Sequence, residues 1–358
     1  MIVVKVWNVW YYLYIVGNGV LAVLLNSEGF MINFATIGTS WITEAFVRGT
    51  WHHRDKLHHS VIYSRNYNKG KAFADKLGCD TVVTDLLKVA SDPSIDAVYV
   101  ASPNAFHYAQ SKLMLQYKKH VLCEKPITVT PDELQELQTL AKQNGVVYME
   151  ALMALHMPQW IVVKDAIKKL GKISHARFDF SQRSSKLDEF LCGEHQNIFD
   201  PKMAAGALMD LGIYCVYPAL GWFGEPNSVY AYCQKLHNGI DGSGGAVLQY
   251  DDKSVELTWS KTGETRLGSE IIGDEGTLIL PSISKLINMK LILKDGTETV
   301  LSADPDKPFL MSFEGADFYR YITDPTTADE LQKAKELALA VSKMMFEIRR
   351  QAGIEFDL

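Results

Sequence analysis

The chain predicts an α/β protein: a doubly wound parallel sheet, followed by an α+β unit with a large open, mainly antiparallel sheet. Three observations carry that expectation. Short apolar runs alternate with helical patterns from residue 32 to 149, the rhythm of repeated βα units. After Pro158 strand patterns dominate, parted by tight turns such as Asp251-Asp252 and Asp295-Gly296 that favour hairpins. At 358 residues the chain also exceeds one ordinary core, so two units are expected, over 31–150 and 151–358.

In the first unit Ile32–Ile37 reads as a strand and 42–50 as a short helix. Residues 60–63 form the second strand, 69–77 its helix, and Thr81–Val83 a brief third strand leading to a helical turn. The run Ile-Asp-Ala-Val-Tyr-Val-Ala at 95–101 is a strong buried strand, 106–117 a helix and 120–123 the next strand. Thr130-Pro131-Asp132-Glu133 opens a helix, with threonine as cap, proline in the first turn and glutamate three residues on. Residues 146–149 close the series. In the second unit a helix at 161–170 precedes strands at 173–180, 229–236, 245–250, 254–259, 268–272, 277–280, 291–293 and 297–301. An amphipathic helix over 328–351 ends near Gly353.

Composition narrows the function. With 36 Lys and Arg against 42 Asp and Glu, the net charge of -6 and the lack of any dense basic run argue against nucleic acid as a partner. The five cysteines are widely spaced with no C-x-x-C, so neither a disulfide framework nor zinc is expected, and a cytoplasmic setting fits. His52, His53, His58 and His59 fall in a polar connection without fixed ligand geometry, and no metal site is expected.

Residues 1–30 do not match the remainder. Positions 9–25 are nearly uncharged, at the lower end of the length of a membrane-spanning helix, and Gly17-Asn18-Gly19 interrupts them. A misassigned start, an associating extension and an anchor all remain open, but the leader is expected to lie outside the catalytic fold, and no membrane partner is expected.

The chemistry-bearing stretch is His120-Val121-Leu122-Cys123-Glu124-Lys125-Pro126. An apolar run of this kind predicts a strand sealed on both faces, and Pro126 keeps Lys125 extended at its end. Open parallel sheets bind ligands at that carboxyl edge, which makes Lys125 a candidate proton donor or acceptor. The first strand runs into Gly38-Thr39-Ser40-Trp41-Ile42-Thr43, where a dinucleotide fold would carry G-x-G-x-x-G and only Gly38 remains. Helix amides and a positive dipole end there suit a pyrophosphate, with Gly38, Ser40, Trp41 and Ile42 as candidate contacts. Ser64 and Arg65 end the second strand, where an NAD site usually offers an acid. A hydroxyl and a guanidinium suit a 2′-phosphate, so NADP is expected, with NAD possible. Ser102, Asn104 and His107 follow the fourth strand and face cofactor or substrate; a cap-region histidine is the other reading of His107. Asp210 and Tyr214, four apart, would share one face of a helix, either in a polar cleft or as core packing.

Glu124-Lys125-Pro126, Ser102-Pro103-Asn104 with His107, Ala205-Gly206-Ala207-Leu208-Met209-Asp210-Leu211-Gly212-Ile213-Tyr214 and Gly273-Asp274-Glu275-Gly276-Thr277-Leu278 together resemble the glucose–fructose oxidoreductase/inositol dehydrogenase (Gfo/Idh/MocA) family. The resemblance runs from Met31 to about Phe356 and leaves the leader uncovered. It implies a Rossmann domain, then an open-sheet domain often used for dimer contacts, and NAD(P)-dependent chemistry on sugars, polyols or diols. It places the family's lysine on Lys125 and its helical aspartate on Asp210, with Glu124 and Lys125 among the cofactor contacts. Many members carry histidine four residues beyond the aspartate. Tyr214 there is similar to the branch of glucose–fructose oxidoreductase and dimeric dihydrodiol dehydrogenase, in which a tyrosine is the proposed acid/base.

The expected reaction is hydride transfer between nicotinamide and a carbinol carbon. Tyr214 is the first candidate base, with the Lys125 ammonium expected to lower the phenol's pKa and Asp210 to orient Lys125 or bind a hydroxyl. Arg183, Lys186, His156, Asn197 and Trp160 are candidate pocket residues. Two rival readings are NAD-dependent glycoside cleavage on the same fold and a non-catalytic nucleotide-sensing regulator. A homodimer or higher homo-oligomer is expected.

Overall fold

The computed structural model describes residues 2–6, 9–16, 19–24, 30–301 and 307–358. In the leader, β1 (Ile2–Val6), β2 (Val9–Val16) and β3 (Gly19–Leu24) form a three-stranded antiparallel sheet that pairs with no other strand among the described residues. Val9–Val16 and Gly19–Leu24 are strands, where the spanning-helix reading of 9–25 required a helix; the rest of that range lies outside the described residues.

Six parallel strands build the first unit: β4 (Ile32–Ile37), β5 (Leu57–Tyr63), β6 (Thr81–Val83), β7 (Ala97–Val100), β8 (His120–Glu124) and β9 (Tyr148–Ala151), in the order β6-β5-β4-β7-β8-β9. The order reverses between β4 and β7, and ligands of doubly wound sheets bind in the crevice at that switch. Helices α1 (Trp41–Thr50), α2 (Tyr67–Leu77), α3 (Leu86–Ser91), α4 (His107–Gln116) and α5 (Pro131–Asn144) connect the strands. The proposed start of α5 forms in full, with the Thr130 hydroxyl accepting from Glu133 N–H and the Glu133 carboxylate reaching back to the Thr130 amide. Strand β8 follows its sequence closely: Val121, Leu122 and Cys123 are completely buried. Each of the two aliphatic side chains contributes about 1.5–3 kcal/mol by leaving water.

Helices α6 (Met153–His156) and α7 (Gln159–Ile167) lead into the second unit. Its strands are β10 (Ile173–Ser181), β11 (Ser228–Lys235), β12 (Asp241–Gln249), β13 (Ser254–Ser260), β14 (Ser269–Gly273), β15 (Gly276–Leu280), β16 (Lys290–Leu293) and β17 (Glu298–Val300). They form one open sheet in the order β11-β12-β13-β10-β14-β15-β16-β17. All pairs are antiparallel except β10 with β13.

Helix α8 (Leu187–Leu191) and a π-helical turn at Leu208–Gly212, continued by α9 (Ile213–Phe223), pack beside this sheet. Two long helices finish the chain, α10 (Lys307–Thr323) and α11 (Ala328–Ala352). Helix α10 is absent from the sequence expectation because Gly315 breaks its apolar pattern. That glycine serves close packing, since a Cβ there would lie 3.2 Å from Leu57 Cδ1. Helix α11 ends on left-handed Gly353, and the guanidinium of its Arg349 donates to Val129 O at 2.8 Å, tying the chain's end to the segment that follows Lys125.

Candidate active site

Lys125 follows the last residue of β8 and precedes Pro126 through a cis peptide bond. Its ammonium donates to Asp210 Oδ1 at 2.6 Å and to the Asp210 main-chain oxygen at 2.8 Å. Asp210 lies within the π-helical turn, where Ile213 N–H reaches back five residues to Leu208 O. Widened turns of this kind recur at functional sites because they re-aim side chains and carbonyls. Here the turn directs both acceptors of Asp210 at one lysine. The Tyr214 ring lies 5.1 Å from Lys125 Nζ, edge-on to Phe180 at 5.5 Å. Lys125 therefore meets Asp210 and Tyr214, which lie 85 and 89 residues further along the chain.

A residue the sequence did not single out joins them. Lys261, just beyond β13, donates its ammonium to Asp210 Oδ2. Asp210 keeps 41% of its side chain exposed, while Lys125 keeps 12% and Lys261 only 4%, so the carboxylate opens to solvent with two ammoniums behind it. Burial works against ionising Asp210, but Lys125 and Lys261 outweigh it and hold the carboxyl well below its usual range. Burial likewise opposes the charge on Lys125, and the negative charge of Asp210 reverses that, holding its pKa above the ordinary lysine value. For Tyr214 the balance differs from the sequence expectation. Burial raises the phenol's pKa by more than the Lys125 ammonium lowers it, so the free site holds a neutral phenol beside a charged lysine.

Buried acids stand behind this cluster. Tyr99 donates to Glu124 Oε1 at 2.5 Å, and Glu124 Oε2 accepts the Lys125 amide at 3.2 Å. On β9, Glu150 accepts from Ile127 N–H at 2.9 Å and from the Tyr217 hydroxyl. Burial pushes Glu150 up to about 7. His156 bonds Asp317 on α10 at 2.9 Å and faces Glu150 O at 3.3 Å. An acid inside the apolar strand Tyr148–Ala151 was a readable signal, since buried carboxyls need partners. Lys261 gave none.

At the switch between β4 and β7, Gly38 has φ +120°, and a Cβ on it would fall 2.5 Å from Ala101 O. Helix α1 begins just beyond, and the Ser40 side chain makes no capping hydrogen bond to it; Ser40 and Trp41 are exposed, Trp41 by 66%, and Ile42 is half-buried. A backbone that only glycine tolerates, leading straight into a helix N-terminus, fits a dinucleotide pyrophosphate.

Other sequence candidates are placed differently. Arg65 is exposed, its guanidinium 5.7 Å from the Phe106 ring, but Ser64 is buried and its hydroxyl donates to Asn66 O at 2.8 Å. Ser102 donates its hydroxyl to Gln110 Oε1 at 2.7 Å. Asn104 donates its amide to Ala204 O at 2.8 Å, bridging the two units. His107 is fully buried with its ring nitrogens 2.8 Å from Pro126 O and Ser102 O; it holds two loops together and is out of ligand reach. Among the pocket candidates, His156 and Trp160 are buried, Trp160 against Trp222, whereas Arg183 and Lys186 pair with Asp188 and Glu189. The four clustered histidines diverge: His59 bonds Thr36, His58 bonds Asn33, His53 faces Ser312 O and His52 packs on Phe309.

Known protein families match both halves of this architecture. Residues 32–152 match the oxidoreductase family with an NAD-binding Rossmann fold, and 162–279 match the GFO/IDH/MocA C-terminal domain. The chain belongs to the Gfo/Idh/MocA oxidoreductase family. It is 36% identical to the scyllo-inositol 2-dehydrogenase (NADP(+)) IolU of Bacillus subtilis, over 91% of this chain and 98% of that protein. Identity to the trans-1,2-dihydrobenzene-1,2-diol dehydrogenase of Danio rerio is 25%, over 83% and 89% of the two chains. The crystal structure of a 3-ketoreductase from Actinomadura kijaniata with NADP and TDP-benzene shares the fold at a TM-score of 0.77 and 21% identity, covering 90% of this chain and 98% of that one. The Gfo/Idh/MocA chain described here is thus an NAD(P)-dependent oxidoreductase with a Rossmann domain and a mainly antiparallel second sheet.

Proposed function

We propose that the protein is an NADP-dependent dehydrogenase of a polyol of the inositol class, with Lys125 and Tyr214 handling the proton and Asp210 orienting them. The observation that carries this reading is the charged Lys125 held between Asp210 and the Tyr214 ring, at the carboxyl edge of the same parallel sheet as the Gly38 turn, two strands away. Residues 31–150 are assigned to the cofactor and 151–358 to the substrate. The Gly38 turn and the amides of Ser40, Trp41 and Ile42 would hold the pyrophosphate, and Arg65 the 2′-phosphate. When bound, the dinucleotide supplies the hydride acceptor or donor.

The protein's own groups supply the rest. In the reducing direction the neutral Tyr214 phenol is ready to give its proton to a carbonyl oxygen, with the Lys125 ammonium donating to the same oxygen. In the oxidising direction Tyr214 takes the alcohol proton, and Lys125 stabilises the phenolate. The exposed side of the Asp210 carboxylate accepts a neighbouring hydroxyl, which favours a vicinal diol over a simple alcohol. The dihydrodiol dehydrogenase relative acts on such a diol, and the IolU relative on scyllo-inositol.

Two finer assignments go with this. Tyr230 and Tyr232 on edge strand β11 are 68% and 50% exposed, which supports a homodimer through the open sheet. All five cysteines are free, which suits a reducing cytoplasm.

The test is NADPH formation by the purified protein with scyllo-inositol, myo-inositol, D-xylose and a trans-dihydrodiol, each with NADP+ and with NAD+. Net NADPH formation with a cyclic polyol is expected. Cleavage of a glycoside without net NADPH would favour the borrowed-hydride reaction, and tight cofactor binding without turnover would favour a sensor.

A further inference from the structure

Lys261 is the one group of the ion cluster without a role so far. Its side chain is 4% exposed, and the structure fixes its backbone from two sides: Lys261 N–H donates to Gly242 O at 2.8 Å, and Ser184 N–H donates to Lys261 O at 2.9 Å. Its ammonium meets Asp210 Oδ2 and lies 5.7 Å from the Phe199 ring. Removing an ammonium from water costs several kcal/mol, and a buried ion pair seldom returns more than an apolar side chain of the same volume would. A purely structural position would be served by methionine. The pairing therefore calls for a reason beyond stability.

Charge provides one. Asp210 is a single carboxylate with an ammonium on each oxygen. Lys125 is faced by Asp210 from the π-helical turn, Tyr214 from α9, Glu124 from its own strand, Glu150 from β9 and His107 from α4, with Glu314 of α10 acting on Tyr214. Of these, Asp210 makes the direct ion pair, and it is shared.

The geometry points to Lys261 as a positioning residue that acts on Lys125 through Asp210: by sharing the carboxylate, it sets how firmly Lys125 holds its proton. The inference rests on the reading of Lys125 as a proton-handling group. With Lys261 neutral, Asp210 serves Lys125 alone and Lys125 holds its proton more tightly. At constant pH that lowers the fraction of neutral amine, with about a tenfold decrease for each pKa unit. A unit charge acting through one shared carboxylate is worth on the order of one such unit at an effective dielectric near 20.

The experiment is competitive acetylation with acetic anhydride at about pH 9, below the ordinary lysine pKa. Lys125 is read by peptide mass spectrometry against exposed lysines in the same molecule. In Lys261→Met its labelling is expected to slow several-fold to about tenfold, and in Lys261→Arg to return to the wild-type rate. Lys261→Gln keeps a donor at Asp210 without the charge, and gives the same slowing if Lys261→Met fails to fold. Lys125 labelling in the neutral variants that equals or exceeds wild type overturns the proposal. A kinetic readout accompanies it: in Lys261→Gln the pH profile of polyol oxidation moves to higher pH while NADPH affinity holds. Labelling needs no substrate. Slowed labelling in a protein that oxidises no polyol would sink the polyol reading alone, and polyol turnover with unchanged labelling would sink this inference alone.

Discussion

The Tyr217 hydroxyl donates to Glu150 Oε2, joining α9 of the second unit to β9 of the first directly behind Lys125. The acid is buried, and burial pushes its pKa up to about 7 against the ordinary 4.5, with the Tyr217 and Ile127 bonds pulling the other way. A carboxyl whose folded pKa is raised binds its proton more tightly when folded. Its favourable contribution is complete below the unfolded value and is lost as pH rises through about 7.

The Glu150→Gln variant, which never ionises, should therefore gain on the wild type as pH rises. The difference in unfolding free energy between variant and wild type is expected to shift in the variant's favour by about 2–3 kcal/mol between pH 5 and 8, at 1.36 kcal/mol per pKa unit. Urea titrations at the two pH values measure it. An equal difference at both values would mean that Glu150 titrates normally.

Gly38→Ala addresses the cofactor turn. The backbone angle of +120° disfavours any side chain, and the added Cβ would meet Ala101 O. The turn must shift, and the amides of α1 shift with it. The expected result is at least tenfold weaker NADPH binding by fluorescence titration and loss of the NADPH-dependent rise in melting temperature, in a protein that still folds. Unchanged affinity would place the pyrophosphate elsewhere.

The ease with which these elements could be read from sequence follows the physics of each. Strand β8 was legible because its burial is continuous and ends on a charge; the start of α5 was legible because its cap is local. Helix α10 was not, because Gly315 answers to a tertiary contact with Leu57. At the site, Lys125, Asp210 and Tyr214 carried pattern information, whereas Lys261 is a lysine at an ordinary strand end until the fold brings it to Asp210. Ser64, Asn104 and His107 lie just beyond the carboxyl ends of β5 and β7, but nothing in a sequence says whether a polar side chain turns toward the cleft or toward a neighbouring carbonyl.

Arg65 is left as the cation at the end of β5, exposed and with Ser64 turned inward. If it holds a 2′-phosphate, Arg65→Ala removes one charge-assisted contact worth about 1.5–3 kcal/mol. The KM for NADP+ should rise by roughly ten- to a hundredfold, while that for NAD+, which lacks the phosphate, changes less than about threefold. A parallel rise in both would mean that Arg65 packs on the adenine and does not select the cofactor.

Tyr214→Phe separates proton transfer from packing. The ring keeps its edge contact with Phe180 and its place beside the Lys125 ammonium, so the fold and the ion cluster should survive. Only the hydroxyl is lost. General acid/base catalysis contributes about 10²–10⁴-fold, and kcat should fall by that order while NADPH affinity stays within about twofold. Lys125→Met should cost at least as much, because it removes the donor to the substrate oxygen and leaves Asp210 with Lys261 alone. Steady-state kinetics with cofactor titration on the same preparations measure both terms. Full turnover in Tyr214→Phe would move the proton-transfer role to Lys125. Full turnover in Lys125→Met would remove the reaction from this strand edge altogether.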